Sequence, residues 1–358
     1  MSVYRKTLGQ QFDETAERFA DHLFIVDRDR RITFGAARRT VDAFARGLLD
    51  LGVEPGDNVA LWMTNYAEFP LVWLAVAKIG AALVPINTRY KADEAAYLLA
   101  QSESTALITM DRFVGIDYQT ELEKVAPELG RARPGALRLA RLPHLREVIV
   151  LGAPRWPAAR TFDDVVRRGE ALPAARLAAV AGAVSPDDRL IIVYTSGTTG
   201  RPKGAVHTHA IVRHEVAICR WRNLTHEDRF IAYLPFFHVG AGFTIIIPCV
   251  ITGASMVLME AFDPREALRT VERERVTQMD GIPTHFIMML DHPDLPKFDV
   301  SSLRGGWVGG APVPKEVVDG MIHRLGMRDL MKVYGMTETT SVTTFTRIGD
   351  PIELISTT

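Results

Sequence analysis

Residues 195–203 concentrate hydroxyl groups, glycines and one lysine in a single short segment, T-S-G-T-T-G-R-P-K. The segment directly follows an apolar run at 190–194, which has the composition of a buried strand. Glycine lets the backbone approach a ligand closely, while N–H groups, hydroxyls and a lysine can satisfy phosphate oxygens. We therefore predict a phosphate-binding loop formed by Thr195, Ser196, Gly197, Thr198, Thr199, Gly200 and Lys203.

This loop does not have the Walker spacing. A Walker loop needs G-x-x-x-x-G-K-[ST], whereas Gly197 and Gly200 are three residues apart and Pro202 precedes the lysine. A flexible polar hairpin is the alternative interpretation. It gives no reason for four hydroxyls, three glycines and a Pro-Lys-Gly ending to occur together. We therefore favour phosphate binding.

The segment T-S-G-T-T-G-R-P-K-G resembles the signature of the adenylate-forming superfamily of acyl-CoA synthetases, firefly-type luciferases and peptide-synthetase adenylation domains. Three further segments agree with that superfamily in order and separation: Y-L-P-F-F-H-V at 233–239, G-G-A-P at 309–312 and Y-G-M-T-E-T at 334–339. The resemblance extends over essentially all of 1–358. It implies the N-terminal body of an acyl-CoA synthetase fold.

The resemblance also implies a nucleotide site. In it the loop clamps the β- and γ-phosphates of ATP, Tyr334 stacks on adenine, and Thr337 donates to the α-phosphate. Thr199 and Glu338 would hold Mg²⁺, a hard cation that prefers oxygen ligands. The implied catalytic residues are Thr195, Lys203, Thr337 and Glu338, and the implied ATP- or AMP-binding set adds Gly310, Ala311, Pro312, Gly335 and Met336 to the loop, Tyr334 and Thr337.

The same resemblance implies an acyl pocket around the segment 233–239. Peptide-synthetase domains typically have an aspartate directly after the position of Phe237, where it pairs with a substrate ammonium. This chain has His238 there, so we expect an acid without an amino group. The stretch 126–149 resembles the medium-chain fatty acyl-CoA ligase branch. The implied pocket comprises Phe237, His238, Val239, Phe243, Trp307, Gly309 and Gly310.

The implied reaction is the ATP-dependent activation of a carboxylic acid, expected to be a fatty acid, to acyl-AMP, followed by transfer to CoA. ATP, Mg²⁺ and CoA are the implied cofactors and co-substrate. Two alternatives stay open. One is an aryl- or amino-acid adenylation domain that loads a carrier protein, and the other is an inactive nucleotide-binding remnant.

Members of this superfamily continue well beyond the segment 334–339. They carry a Thr-Gly-Asp segment whose aspartate binds ribose, then a hinge, then a small lid domain with a catalytic lysine. These parts have no counterpart in 1–358. We therefore expect a body whose C-terminal lid domain is missing, and which is weakly active or inactive alone.

Helical stretches alternate with short apolar runs along the chain, a pattern typical of βαβ units with right-handed crossovers. It predicts an α/β fold with mostly parallel strands in two sheet-containing βα subdomains, 1–185 and 186–358. The Ala-, Arg- and Pro-rich segment 111–183 is predicted to be an irregular connecting excursion. The apolar run 241–259 is predicted to be a buried helix, a turn at Gly253 and a buried strand, not a membrane span.

Net charge, the two cysteines and the N-terminal sequence exclude several classes of partner and location. Its 42 basic and 43 acidic side chains give a net charge of −1, which does not favour nucleic acid. Cys219 and Cys249 lie in apolar stretches, as buried thiols in a reducing compartment do. The N-terminus lacks the apolar core of a signal peptide, so we expect a cytoplasmic protein with small-molecule partners and leave a homodimer open. The spacing of three histidines favours packed or solvated side chains over a metal site: His207, His209 and His214.

Overall fold

A computed structural model describes residues 4–133, 135–195 and 200–357. The chain forms two compact units, of which unit 1 is Met1–Glu14 with Gly35–Val212 and unit 2 is Thr15–Phe34 with Arg213–Thr358. The two units interleave in sequence because the segment 15–34 belongs to unit 2. The division after Val212 differs from the expected boundary between 185 and 186.

The strands alternate with helices along both units, as the sequence pattern predicts. In chain order the strands are β1 (Leu23–Asp27), β2 (Arg30–Thr33), β3 (Asn58–Trp62), β4 (Ala82–Pro85), β5 (Ala106–Met110), β6 (Arg112–Phe113), β7 (Ile116–Asp117), β8 (Glu147–Leu151), β9 (Arg160–Thr161), β10 (Arg189–Thr195), β11 (Lys203–Thr208), β12 (Arg229–Ala232), β13 (Ser255–Leu258), β14 (Gly305–Gly309), β15 (Asp329–Tyr334) and β16 (Thr344–Phe345).

The α-helices are α1 (Leu8–Arg18), α2 (Phe34–Asp50), α3 (Glu68–Lys78), α4 (Ala92–Gln101), α5 (Tyr118–Val125), α6 (Phe162–Glu170), α7 (Ala174–Ala183), α8 (Ile211–Trp221), α9 (Val239–Ala241), α10 (Ile247–Thr252), α11 (Pro264–Glu274), α12 (Pro283–Leu290), α13 (Lys315–His323) and α14 (Ile352–Thr357). A π-helical turn, Gly242–Ile246, joins α9 to α10. Short 3₁₀ turns lie at Pro127–Arg131, Leu295–Lys297 and Thr337–Thr339.

Unit 1 is built on a seven-stranded sheet in the order β11-β10-β4-β3-β5-β8-β9. Every neighbouring pair in it is parallel except the β10–β11 hairpin. Strands β4 and β5 are buried along their whole length, which suits apolar strands covered on both faces. Ile191 of β10 pairs with Leu83 of β4, so unit 1 extends beyond the expected boundary at 185.

Unit 2 contains a four-stranded sheet, β12-β13-β1-β2, and a three-stranded sheet, β14-β15-β16. Strands β12, β13 and β1 run parallel, as do β14 and β15, whereas the β1–β2 and β15–β16 pairs are antiparallel. Bridges from Gln278 to Phe230 and to Gly305 connect the two sheets. The prediction of mostly parallel strands is therefore confirmed in both units.

The apolar run 241–259 folds as predicted. Residues 241–250 are all buried in the helical stretch. Gly253 ends α10 with a φ of +85°, the left-handed conformation that glycine adopts most easily at a helix end. The buried strand β13 follows directly. Across the described parts of the chain, no helix combines the length and hydropathy needed to cross a membrane.

The segment 111–183 is more regular than predicted. It contains α5, α6 and α7, together with β8, which joins the sheet of unit 1 beside β5. Side-chain capping starts α5 and α6: Asp117 accepts from the Thr120 N–H at 2.9 Å, and Thr161 forms a capping box with Asp164. The Ala- and Arg-rich composition conceals helices whose starts depend on single polar residues.

Both cysteines are buried, as predicted, and neither forms a disulfide. Burial raises the pKa of the Cys219 thiol and that of the Cys249 thiol. Both thiols are therefore protonated at neutral pH, and they behave as small apolar side chains in the core of unit 2.

Candidate active site

The ends of the predicted phosphate-binding loop belong to the β10–β11 hairpin of unit 1. Thr195 and Lys203 are partners across the antiparallel ladder, so the loop begins and ends at one pair. Gly200 has a φ of +114° and is exposed, and a Cβ there would meet nothing within 4 Å. Lys203 is exposed, so its ammonium is accessible to an anion. The predicted contacts at 196–199 lie outside the described residues.

The last glycine of the signature is required by packing within the hairpin. Gly204 pairs with Tyr194 across the ladder. A Cβ at this position would lie 2.7 Å from Ile192 Cγ2 and 3.3 Å from Tyr194 Cζ. The two side chains of β10 therefore cross over Gly204 and leave no room for another. Packing of the hairpin is therefore sufficient to explain a glycine at this position, without a contact to a ligand.

A cavity of about 520 Å³ in unit 2 collects several of the predicted nucleotide-binding residues. This volume lies in the range of small-molecule sites. Tyr334 is 64% exposed at its rim, so an aromatic face is accessible. Five further lining residues, which sequence analysis misses, lie on or directly after the paired strands β15 and β16. The lining is Gly310, Ala311, Pro312, Lys332, Val333, Tyr334, Gly335, Thr344, Phe345 and Thr346.

The turn after β15 is closed by its own backbone hydrogen bonds. The N–H groups of Thr339 and Ser341 both donate to the Met336 carbonyl at 3.2 Å. Thr340 and Ser341 have positive φ values of 63° and 82°, which cost a non-glycine residue about 1–2 kcal/mol each. A Cβ on Gly335 would lie 1.4 Å from the Ser341 carbonyl oxygen, so only glycine fits there. The turn is thus a closely packed, strained structure.

The two predicted catalytic residues on this turn differ in exposure. Thr337 is 9% exposed, whereas Glu338 is exposed and has no hydrogen bond or ion pair to any residue that the structure describes. Mg²⁺ is usually held by one or two carboxylates together with substrate phosphates. A single accessible carboxylate therefore fits an Mg²⁺ ion that arrives with a nucleotide. Within the described residues, no cluster of three or more His, Cys, Asp or Glu side chains could hold a metal.

His238 stands at the start of the helical stretch that follows β12. Its Nδ1 accepts from the Gly240 N–H at 3.2 Å. Desolvation by the surrounding protein lowers the pKa of His238, so the ring is neutral at pH 7 and carries its proton on Nε2. A Cβ on Gly240 would lie 3.4 Å from His238 Nδ1 and 3.8 Å from Trp307 Cη2. The structure therefore brings His238 and Trp307 close together around Gly240.

The other predicted acyl-pocket residues differ in accessibility. A Cβ on Gly309 would lie 2.5 Å from the Val333 carbonyl oxygen, so this glycine allows β14 and β15 to pack closely. The buried members of the predicted set belong to the core, and only the exposed ones are accessible to a small molecule. In the predicted set Val239, Phe243, Trp307 and Gly309 are buried, Phe237 is half-buried, and His238 and Gly310 are exposed.

A buried ion pair that sequence analysis misses supports Trp307. Arg222 donates to the Asp280 carboxylate at 2.7 Å and 3.1 Å, and the two side chains are 4% and 0% exposed. Asp280 also accepts the Trp307 backbone N–H at 3.1 Å. The Tyr233 hydroxyl donates to the Asp280 carbonyl at 2.7 Å. The only sequence signal is one acid within the apolar context M-D-G-I.

Glu215 on α8 is a second buried acid in unit 2. It is 0% exposed, and neither carboxyl oxygen has a hydrogen-bond partner among the described residues. Burial raises the pKa of Glu215 well above its usual range, against the opposing effect of the nearby Arg222. The side chain is therefore a neutral carboxylic acid at neutral pH, which avoids an uncompensated charge in the core.

The histidines that follow the loop pack against protein. His207 and His209 are buried. Nδ1 of His209 accepts from the Leu8 N–H at 3.1 Å, and burial lowers the pKa of His209 to about 4. His214 is half-buried, with Nε2 3.2 Å from the Val342 carbonyl oxygen. The interpretation of this cluster as packed histidines is confirmed.

The family model described as AMP-binding enzyme matches residues 12–357. The chain belongs to the AMP-binding enzyme family. Two curated relatives are YngI of Bacillus subtilis, 38% identical over 97% of this chain and 64% of its own length, and the human medium-chain acyl-CoA ligase ACSF2, mitochondrial, 35% identical over 94% of this chain and 56% of its own length. This AMP-binding chain therefore spans less than two thirds of either relative.

The fold of this AMP-binding family member also matches a solved structure. It is similar to the inhibitor-bound N-terminal domain of FACL13 from Mycobacterium tuberculosis, with a TM-score of 0.81 and 28% identity over 98% of this chain and 81% of that chain. The predicted family and the predicted α/β body with parallel-rich sheets are thereby confirmed.

Proposed function

We propose that this chain is the nucleotide- and acid-binding body of an enzyme that activates a carboxylic acid with ATP and transfers it to CoA. The cavity of unit 2 carries the proposal, because the predicted adenine-binding residues Gly310, Pro312 and Tyr334 all line it. An accessible aromatic face suits the stacking of a flat base. Membership of the AMP-binding enzyme family and the name of the human ligase support the same chemistry.

The proposed first step joins the acid to AMP. A carboxylate oxygen attacks the α-phosphorus of ATP, and the bond from that phosphorus to pyrophosphate breaks. The protein supplies positioning and charge neutralisation and no covalent intermediate. We assign Thr195 and Lys203 to the outer phosphates and Thr337 to the α-phosphate. The exposure of Lys203 supports its assignment.

The proposed second step transfers the acyl group. The thiol of CoA loses its proton and attacks the acyl carbonyl carbon, the bond to the AMP oxygen breaks, and AMP leaves. We assign no residue of this chain to that proton, because the relatives contain segments that this chain does not span.

Glu338 is the proposed Mg²⁺ ligand. Bound there, Mg²⁺ would offset the negative charge of the ATP phosphates. The exposure of the Glu338 carboxylate supports this assignment. Thr199, the second predicted ligand, lies outside the described residues and stays a prediction.

The proposed substrate is an acid without an amino group and with an apolar tail, first of all a medium-chain fatty acid. A neutral His238 can donate from Nε2 to a carboxylate but offers no negative charge to an ammonium. The half-buried Phe237 adds apolar surface beside it. The words medium-chain in the name of the human relative support the same choice.

Two measurements on the purified chain test this proposal. Calorimetry with ATP, AMP and a non-hydrolysable octanoyl-AMP mimic measures binding. ATP–pyrophosphate exchange is then compared for octanoate and 2-aminooctanoate, which differ only in the amino group, and for benzoate. We expect binding of all three nucleotides and exchange that responds most to octanoate. Tyr334→Ala should weaken AMP binding about tenfold, while Tyr334→Phe retains it, because stacking on an aromatic ring contributes about 1–3 kcal/mol.

The outcomes separate the candidate functions. A strongest response to 2-aminooctanoate or benzoate would replace the fatty acid with an amino or aryl acid and favour a carrier-loading enzyme. Binding of nucleotides without exchange for any acid, also when the lid domain that the resemblance implies is supplied, would favour a nucleotide-binding remnant. If none of the nucleotides binds, the proposal is overturned.

We also propose a reducing compartment, with the cytoplasm as the first candidate. The two buried free thiols, Cys219 and Cys249, support this proposal. The human relative is named as mitochondrial, so the mitochondrion is the alternative to be compared. Imaging of the tagged protein in its own cells distinguishes the two.

A further inference from the structure

One face of α4 contacts the β10–β11 hairpin of unit 1 at strand β10 and at the residue before strand β11. Tyr97 and Gln101 are four residues apart on that helix, so their side chains lie on the same face. The Tyr97 hydroxyl donates to the Pro202 carbonyl at 3.1 Å. The Tyr194 hydroxyl donates to Gln101 Oε1. The helix therefore contacts the incoming strand at Tyr194 and the residue before the outgoing strand at Pro202.

Tyr97 makes a second contact with the same part of the chain. The guanidinium carbon of Arg201 lies 5.2 Å from the centre of the Tyr97 ring, within the range of a cation–π interaction. Arg201 is exposed, so this contact does not serve to bury an apolar side chain. Tyr97 thus holds two consecutive residues, Arg201 and Pro202, by two different interactions.

The next residue in the chain is Lys203. Its ammonium is exposed, while its backbone is fixed on one side by the ladder partner Thr195. The two residues before Lys203, Arg201 and Pro202, lie outside the ladder. Tyr97 contacts both of them, by a cation–π interaction and a hydrogen bond. The Pro202 carbonyl belongs to the planar peptide bond that joins Pro202 to Lys203, so the hydrogen bond from Tyr97 restrains the backbone directly before the lysine.

We propose that Tyr97 is a positioning residue for Lys203, which it serves by fixing the 201–202 backbone so that the lysine ammonium meets the outer phosphates of ATP. This inference rests on the function proposed above. In that function Tyr97 contacts neither the nucleotide nor the acid, and it acts only through Lys203. Binding energy is lost when a charged group must be ordered at the moment of binding, so a fixed lysine binds phosphate more tightly than a mobile one.

The test compares ATP with AMP, because only ATP carries the outer phosphates. Calorimetry on the whole chain measures both dissociation constants for the wild type and for Tyr97→Phe, which removes the hydroxyl and keeps the ring. We expect Tyr97→Phe to weaken ATP binding about threefold to tenfold, the effect of one hydrogen bond, and to change AMP binding less than about twofold. Arg201→Ala should weaken ATP binding about twofold to fivefold, and Arg201→Lys should restore part of that loss.

Two controls separate positioning from a general structural role. Tyr90→Phe deletes a hydroxyl two residues before α4 that is not the donor to Pro202, and it should leave both dissociation constants unchanged. In a Lys203→Met background, Tyr97→Phe should have no further effect on ATP binding, because the lysine through which it acts is gone. A variant that merely weakens the fold would lower ATP and AMP binding together.

The failure of this inference is distinguishable from the failure of the proposed function. Wild-type chain that binds neither ATP nor AMP would remove the function and the inference with it. The inference alone would be overturned if the wild-type chain binds ATP and Tyr97→Phe binds it equally well. The same holds if the effects of Tyr97→Phe and Lys203→Met on ATP binding are additive. The proposed function would stand in both cases.

Discussion

The β10–β11 hairpin of unit 1 and strand β14 of unit 2 are held by different kinds of contact. The hairpin is supported by half-buried groups, such as Tyr97, whose hydroxyl donates to the Pro202 carbonyl. In unit 2, Trp307 of β14 donates its backbone N–H to Asp280, which forms a buried ion pair with Arg222. Unpairing a buried charge costs several kcal/mol, whereas an exposed pair contributes about 0–1 kcal/mol. Mutations in unit 2 should therefore affect stability first, and mutations in the hairpin should affect ligand binding first.

The largest expected effect tests the buried side of this comparison. Asp280→Ala should lower the free energy of unfolding by about 3–5 kcal/mol, because it leaves the Arg222 charge buried without its partner. Urea unfolding measures it. Asp299→Ala is a matched control: Asp299 pairs with Arg275 at the same distance of 2.7 Å, but these side chains are 52% and 57% exposed. The effect of Asp299→Ala on the free energy of unfolding should stay below about 1 kcal/mol. If both variants lose the same free energy of unfolding, burial of the ion pair does not determine its contribution.

One buried group of unit 1 should also affect stability, although it lies at the end of the hairpin. His209 follows β11 and has its pKa lowered to about 4 by burial. Because the unfolded chain binds the proton more readily, stability falls as pH drops from 6.5 towards 4, by roughly 3 kcal/mol in total. Between pH 4 and 6.5, the free energy of unfolding should change less steeply with pH in His209→Asn than in the wild type. The amide oxygen of the asparagine can still accept from Leu8. Identical slopes would show that His209 does not titrate in this way.

The strained turn of unit 2 gives an intermediate effect. Gly335→Ala should lower the free energy of unfolding by about 1–3 kcal/mol, because the new Cβ would overlap the Ser341 carbonyl oxygen. AMP binding should weaken with it. Gly182→Ala in α7 is the contrasting change, since a Cβ there meets nothing within 4 Å, and it should add about 0.5–1 kcal/mol. Thermal unfolding and calorimetry measure both, and a destabilising Gly182→Ala would contradict this account of the space available.

The smallest expected change in stability belongs to the hairpin. Lys203→Met replaces an exposed side chain, so the free energy of unfolding should change by no more than about 0.5 kcal/mol. ATP binding should nevertheless weaken about tenfold or more, as expected for the loss of a charged donor to phosphate. AMP binding serves as the internal reference. A large loss of stability would place this residue with the buried supports of unit 2.

Local signals made most of the elements predictable. The apolar run 241–259 carries its own helix end at Gly253, and the hydroxyl- and glycine-rich loop directly follows the buried strand β10. The segment 111–183 was less predictable, because the starts of its helices depend on single capping residues such as Asp117 and Thr161. Composition alone does not reveal such caps.

The supports of the candidate site could not be predicted from sequence. Tyr97 and Pro202 are 105 residues apart, and Arg222 and Asp280 are 58 residues apart. Such partners are chosen by tertiary packing and leave no periodic pattern in either segment. The site residues themselves lie in short contiguous motifs, which is why Tyr334 was identified while its neighbour in the cavity, Lys332, was not.

The π-helical turn at Gly242–Ile246 places one more residue in its helix than an α-helical repeat requires. Each α-helical residue turns the chain by about 100°. The surplus residue therefore sets the direction of His238, which caps the start of this helical stretch, relative to α10. Deleting one residue here would extend an uninterrupted helix towards Thr252 and swing the imidazole away from Trp307, so a shorter and more regular helix is expected to remove the proposed contact between His238 and an acid.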